Sequence, residues 1–231
     1  MPPDVGVIVV AAGRGTRLGG TPKQFRELAG IPVLLRAVRP FASHPSITHL
    51  VVALPADVVA DPPEWLKSLT GDRLRLVAGG AERGDSVRAA LAALPAGCTV
   101  VLVHDGARPL VSRDTIDAVI AVAAAGSGAV AAVPLGDTLK MAAEGDGPPT
   151  VERTIPRQRL WRAQTPQGFP RDVLERATAS AAADGVQGTD DAELVERIGG
   201  RVQLVPDRPS NLKLTTAADF VLAEALLRSE P

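Results

Sequence analysis

The sequence predicts an α/β fold with a mostly parallel central sheet, and three observations predict it. Between residues 5 and 103, apolar runs of strand length alternate with segments of helical spacing, in the order β, α, β, α, β. Polar motifs (AAGRG, GGAERGDS and HDGARP) follow three of those runs, at the strand ends where open parallel sheets bind ligands. The 231 residues are 45% hydrophobic, enough for one sizeable core. With no internal repeat and no dividing linker, one domain spanning residues 1–231 is expected.

The elements follow in order. Val5 to Ala11 is an apolar strand that ends abruptly at Gly13-Arg14-Gly15. Ile31 to Ala42 has helical length, with Pro32 suited to a first turn. His49 to Leu54 is a β-branched strand stopped by Pro55, and Trp65, Leu66 and Leu69 indicate a short helix. Arg73 to Ala78 alternates as a strand does, and Gly79-Gly80 breaks it. A helix over Asp85 to Leu94 and a strand over Val100 to Val103 complete the alternation. Ala118 to Leu135 reads as helix, turn and strand, interrupted by Gly126-Ser127-Gly128.

After Pro134 the pattern changes. Residues 135 to 161 carry short apolar pieces between glycines and prolines, too long a stretch to lie structureless in a compact domain. A projecting β-arm over 135–157, its limbs joined at Gly-Asp-Gly-Pro-Pro, is expected to pack on a second subunit. Helices over Arg171 to Ala183 and Asp190 to Ile198, a strand over Arg201 to Val205, and a last helix from Ala217 to Leu227 follow. Thr215 or Thr216 caps that last helix.

Composition excludes several classes of function. A net charge of −1 argues against a bulk nucleic-acid surface, so any anion is met by a local cluster. The single cysteine, Cys98, cannot form an intrachain disulfide and reads as a small core residue. The start Met-Pro-Pro-Asp lacks a basic leader, and Val5 to Ala12 is too short to span a bilayer. A cytoplasmic protein with no membrane partner is expected.

Chemistry concentrates at the strand ends. Glycines 13, 15, 19 and 20, with Arg17 and Lys23, describe a flexible basic loop suited to a polyphosphate. Leu18 stands where a dinucleotide fingerprint needs its third glycine, and no Gly-Lys-Ser/Thr occurs, so neither standard loop fits. Asp105 leaves a buried strand, where it serves Mg²⁺ or a ribose hydroxyl, or caps the next segment with Arg108 as its ion partner. His104 reads as a structural histidine. No His/Cys cluster in the sequence points to zinc, and no Ser/His/Asp set is visible.

Seven segments, AAGRGTRLGGTPKQF, GGAERGDSV, HDGARP, DTLK, RAQTPQGF, TDDAELVE and NLKLT, carry a resemblance that covers nearly the whole chain. In this order they resemble the 2-C-methyl-D-erythritol 4-phosphate cytidylyltransferases, of the Rossmann-like nucleotidyltransferase fold. The resemblance implies transfer of CMP from CTP to a sugar-alcohol phosphate, with release of pyrophosphate and a divalent cation, Mg²⁺, beside the nucleotide at Asp105. It assigns Ala11, Ala12, Gly13 and Gly15 to the nucleotide floor, and Gly80 and Ser86 to the cytosine pocket. Arg17 and Lys23 become the cations that stabilise the transition state. Gly106, Arg108, Thr138, Thr165 and Thr189 would line the acceptor pocket, and Arg157 and Lys213 would position the acceptor phosphate. Arg157 would reach the partner's site in a homodimer built through the arm. Ala81 and Gly106 depart from the family pattern, which commonly has an acidic residue and an alanine there. Two other readings stay open: a cytidylyltransferase for another polyol phosphate such as ribitol 5-phosphate, and a non-catalytic nucleotide-binding regulator.

Overall fold

The computed structural model describes residues 3–13 and 22–229. The chain begins with β1 (Val5–Val10), a turn of 3₁₀ helix at Lys23–Phe25, and a short hairpin of β2 (Glu27–Leu28) and β3 (Ile31–Pro32). Ala29 and Gly30 turn that hairpin with φ of 48° and 71°, a tight pair of left-handed residues. The first long helix, α1, covers Val33–Ala42. Pro32 therefore stands just before the helix, at its N-cap, rather than in its first turn. The hairpin takes the residues that helical spacing alone had joined to α1.

Next come β4 (Ile47–Leu54), α2 (Ala56–Ala60), α3 (Glu64–Lys67), β5 (Leu74–Ala78), α4 (Arg83–Ala93) and β6 (Val100–Asp105). They are followed by α5 (Arg113–Ala124), β7 (Gly128–Pro134), β8 (Leu139–Ala142), β9 (Val151–Ile155) and β10 (Trp161–Pro170). The chain closes with α6 (Arg171–Ala183), α7 (Asp191–Arg197), β11 (Val202–Pro206) and α8 (Ala217–Ser229). Seven strands form the central sheet in the order β11-β7-β10-β6-β1-β4-β5. All neighbours are parallel except β10, which runs antiparallel to both β6 and β7.

Both faces of the sheet are covered, which is why its strands read as unbroken apolar runs. Val5, Val7 and Val9 of β1 point to the face covered by α1 and α5, with Phe41 and Ile116 fully buried there. Ile8 points to the other face, where Val87 of α4, Leu174 of α6 and Val195 of α7 meet it. Registers align the strand ends: Val10 pairs with Asp105 on one side and Ala53 on the other. The turns after β1, β5 and β6 thus leave the same edge.

The central-sheet strand missing from the sequence reading is β10. Its pairing with β7 is interrupted between Ala163 and Gln167, and its polar run Gln164-Thr165-Pro166-Gln167 hides the strand. At the last helix, Thr216 Oγ1 accepts from the Asp219 N–H at 3.4 Å while Asp219 Oδ2 accepts from the Thr216 N–H at 2.7 Å. This is the expected threonine cap, closed reciprocally. Residues 139–155 form a separate two-stranded antiparallel sheet, Leu139 opposite Ile155, whose side chains are exposed except for half-buried Ile155.

Packing of α5 on β10 depends on Gly168. A Cβ there would lie 2.6 Å from Val119 Cγ1 and 2.8 Å from Leu102 Cδ2. Gly168→Ala should destabilise the fold by about 1–3 kcal/mol through overpacking, read as a lower midpoint in urea. An unchanged midpoint would mean that α5 can shift away from the sheet.

Candidate active site

The aligned turns enclose a cavity of about 220 Å³ at the carboxyl edge of the sheet. Ala11, Ala12, Gly13, Lys23, Gly80, Ser86, Asp105, Gly106 and Lys213 all line it, so the structure brings together most residues singled out in the sequence. Gly15 and Arg17 lie outside the described residues.

Asp105, only 6% exposed, is the electrostatic centre. Its Oδ2 lies 2.9 Å from Lys213 Nζ and 3.4 Å from Arg108 Nε, and its Oδ1 lies 3.7 Å from Arg83 Nε. Burial pushes its carboxyl upward, but Lys213, Arg83 and Arg108 outweigh burial and hold it well below the usual carboxylate range. Asp105 is therefore a permanent anion that gathers three cations around the cavity.

Arg83, inside GGAERGDS, escapes the sequence reading, and it joins two acids. Besides Asp105, it reaches Asp191 at 2.7 Å, and Asp191 is 1% exposed. Gln24 was also missed. Its buried side-chain amide donates to the Ala11 and Gly13 carbonyls at 2.8 and 3.0 Å. One amide thereby fixes the exit of β1 from the far side of the basic loop. In both cases the only available sequence signal was membership of a polar motif.

The glycine pair after β5 is required by neighbouring protein. A Cβ on Gly79 would come within 2.3 Å of Ala12 Cβ, and one on Gly80 within 2.1 Å of Asp85 Cβ. The Gly80 N–H donates to Ser86 Oγ at 3.2 Å, and that hydroxyl donates to the Glu82 carbonyl at 3.2 Å. Ser86 thus folds the turn back onto α4, and Glu82 with Asp85 caps the helix reciprocally. At Gly106 a Cβ would sit 2.9 Å from Ala11 Cβ, so glycine permits a close approach of the β1 and β6 turns.

The remaining predicted residues occupy different surroundings. Arg108 is 9% exposed and donates to the Asn211 carbonyl at 2.8 Å. Thr165, 4% exposed, accepts from the Asp105 N–H at 3.0 Å and shares a 3.0 Å bond with His104 Nδ1. Thr189 is exposed and gives its hydroxyl to Glu193 at 2.7 Å. Thr138 and Arg157 are exposed, and the Arg157 guanidinium donates to the Gly136 carbonyl.

His104 is structural, as read from the sequence. It is fully buried, with Nε2 3.0 Å from the Arg108 carbonyl and its ring 4.8 Å from that of Phe41. A carbonyl only accepts, so Nε2 carries the proton and Nδ1 accepts from Thr165. Cys98 is buried, and burial followed by the Asp4 carboxylate pushes its thiol upward. With Asp4 and His49 it forms a group whose ligand-type atoms lie within 4.8 Å of one another. That group sits at the opposite, amino-terminal end of the strands, where Asp4 already accepts the Thr48 hydroxyl.

Main-chain turns, two lysines and a permanent carboxylate at this edge define an α/β enzyme that handles a nucleotide through its phosphates: a nucleotidyltransferase. The sequence profile described as IspD, 2-C-methyl-D-erythritol 4-phosphate cytidylyltransferase, matches residues 5–229. A protein of that name from Symbiobacterium thermophilum is 48% identical over 230 residues, covering 98% of this chain and 94% of its own. One from Saccharopolyspora erythraea is 48% identical over 229 residues, with 95% and 97% covered. The crystal structure of the Thermus thermophilus cytidylyltransferase superposes with a TM-score of 0.81 at 37% identity, covering 97% of this chain and 99% of that one. The chain belongs to the 2-C-methyl-D-erythritol 4-phosphate cytidylyltransferase family.

His104 yields a pH prediction. Burial lowers its pKa from 6.5 to about 4, so the unfolded chain binds the proton more readily. Stability is therefore complete above pH 6.5 and is lost as pH falls towards 4, by about 3 kcal/mol in all from this group. Urea denaturation across that range should record the loss, and His104→Gln should flatten it. A variant retaining the full acid slope would assign the loss to another group.

Proposed function

We propose that this chain transfers CMP from CTP to 2-C-methyl-D-erythritol 4-phosphate, giving 4-diphosphocytidyl-2-C-methyl-D-erythritol and pyrophosphate for isoprenoid-precursor synthesis. The observation that carries the reading is Asp105 with Lys213 at 2.9 Å, in a cavity also lined by Lys23 and the Ala11–Gly13 backbone. A phosphate monoester loses its second proton near pH ~6, so the acceptor is already a dianion at neutral pH. It needs no strong base. Its oxygen forms a bond to the α-phosphorus of CTP while the α–β bridging bond breaks and pyrophosphate leaves with the electron pair. The barrier comes from bringing two anions together and from charge growing at the α-phosphate, which fixed cations oppose.

Lys23 and Arg17 act on that growing charge, and Lys213 and Arg157 hold the acceptor phosphate. Arg108, Thr138, Thr165, Thr189 and Gly106 belong to the acceptor side. Gly80 and Ser86 bound a base pocket sized for a pyrimidine. Asp105 Oδ1, whose ion pair with Arg83 is long at 3.7 Å, would be the oxygen to hold a Mg²⁺ beside the substrate phosphates. Such an ion would neutralise triphosphate charge. No helix of the described residues is long and apolar enough to cross a membrane.

Purified protein given CTP should release pyrophosphate with 2-C-methyl-D-erythritol 4-phosphate and far less with ribitol 5-phosphate. Lys23→Ala should lower kcat by two or more orders of magnitude, since one lost donor costs roughly 3–4 kcal/mol of transition-state stabilisation. The opposite acceptor preference, or CTP binding without turnover, would replace this reading with one of its rivals.

The 139–155 sheet supports a homodimer. Leu139 and Met141 are each 38% exposed and Val151 is 62% exposed, and burying such surface stabilises by about 25 cal/mol per Å². A two-fold dimer covers the element on both subunits and carries Arg157 into the neighbouring site. Mixing Arg157→Ala with Lys213→Ala under subunit exchange tests this arrangement. Each heterodimer then holds one intact site and should recover about half of a dimer's activity. Demonstrated exchange without recovery would return Arg157 to its own subunit.

A further inference from the structure

The lysine at the centre of the site hangs on a segment without regular structure. Residues 207–216, which contain NLKLT, lie between β11 and α8 in neither helix nor strand. No ladder fixes Lys213, and a long side chain on such a segment has many positions to lose. Its Nζ nonetheless lies 2.9 Å from Asp105. The Leu214 N–H, donating to the Ala107 carbonyl at 2.8 Å, pins one side of it. On the other side is Asn211, 1% exposed.

Asn211 uses the amino end of its side-chain amide and its main-chain carbonyl. Its Nδ2 donates to the Thr165 carbonyl at 2.8 Å and to Asp207 Oδ2 at 2.7 Å. Its main-chain carbonyl accepts from Arg108 at 2.8 Å and from Gln164 at 2.9 Å. Asp207 is held in turn, accepting the Thr115 hydroxyl at 2.7 Å from α5. One residue therefore ties three otherwise separate pieces: its side chain joins the interrupted stretch of β10 to Asp207 of the Lys213 segment, and its carbonyl holds Arg108 beyond the end of β6.

We propose that Asn211 is the positioning residue for Lys213 and, by fixing its own main-chain carbonyl, for Arg108. Without its two donors, the buried Thr165 carbonyl and Oδ2 of the half-buried Asp207 each lose a partner. The segment then relaxes, and Lys213 no longer meets Asp105 and the substrate phosphates from a fixed point. Misplacement on the scale of 1 Å costs up to about 100-fold in rate. The inference rests on the role given above to Lys213.

The test is a double-mutant cycle on kcat, because a residue acting through another loses its effect when that other is removed. Asn211→Ala should lower kcat by about tenfold or more in protein whose circular dichroism and thermal transition report a folded state. In a Lys213→Ala background the same change should cost markedly less. Equal losses in both backgrounds, or normal turnover by folded Asn211→Ala, would overturn the proposal. Asn211→Ser, which keeps one donor, carries the same comparison if the alanine variant does not fold. Near-normal turnover by Lys213→Ala alone would separately refute the role of Lys213.

Discussion

Everything at this site answers to the ionised carboxylate of Asp105. A buried anion is expensive unless cations and hydrogen bonds surround it, and here Lys213, Arg108 and Arg83 come from three distant parts of the chain to do so. The same three cations would repel one another without Asp105. The carboxylate thus acts as a template that assembles positive charge where an anionic substrate can use it. Arg83 extends the arrangement to Asp191 on the first turn of α7, joining the cavity wall to the helical layer behind it.

Much of the architecture was legible because parallel strands covered on both faces leave plain apolar runs. Val5 to Val10 and Val100 to Val103 could hardly be anything else, and their registers place AAG and HDG side by side. The strand β10 was illegible for the opposite reason. Gln164, Thr165 and Gln167 spend their side chains on Asn211, His104 and Asp190, so their polarity is satisfied by tertiary bonds that no periodicity announces. The hairpin of β2 and β3 was missed because two-residue strands have no period.

The site divides similarly. Residues whose chemistry is intrinsic, such as Lys23, Asp105 and Lys213, could be named from type and motif. Residues whose importance lies in a partner could not. Gln24 matters because two carbonyls of one turn need a donor, and Asn211 because four groups meet around it. The glycines required a correction of reason: Gly79 and Gly80 are glycine because Ala12 and Asp85 already fill the space a side chain would need. Thr165 likewise has its hydroxyl committed to Asp105 and His104, so any influence on the acceptor passes through its backbone or through that chain of bonds.

The antiparallel strand also sets an order of events on the ribosome. β6 and β7 are complete by residue 134, yet the strand that lies between them begins only at Trp161. A nascent chain that has emerged to residue 160 therefore carries an open edge on β6 and a β7 with neither of its sheet neighbours, β10 and β11. Such edges are templates for pairing with other chains. Only the arrival of β10 covers the β6 edge and ties β7 into the sheet, and α6 follows it directly at Arg171. The strand bearing the Thr165 carbonyl to which Asn211 is tied is also the one whose late arrival makes the half-made sheet adhesive.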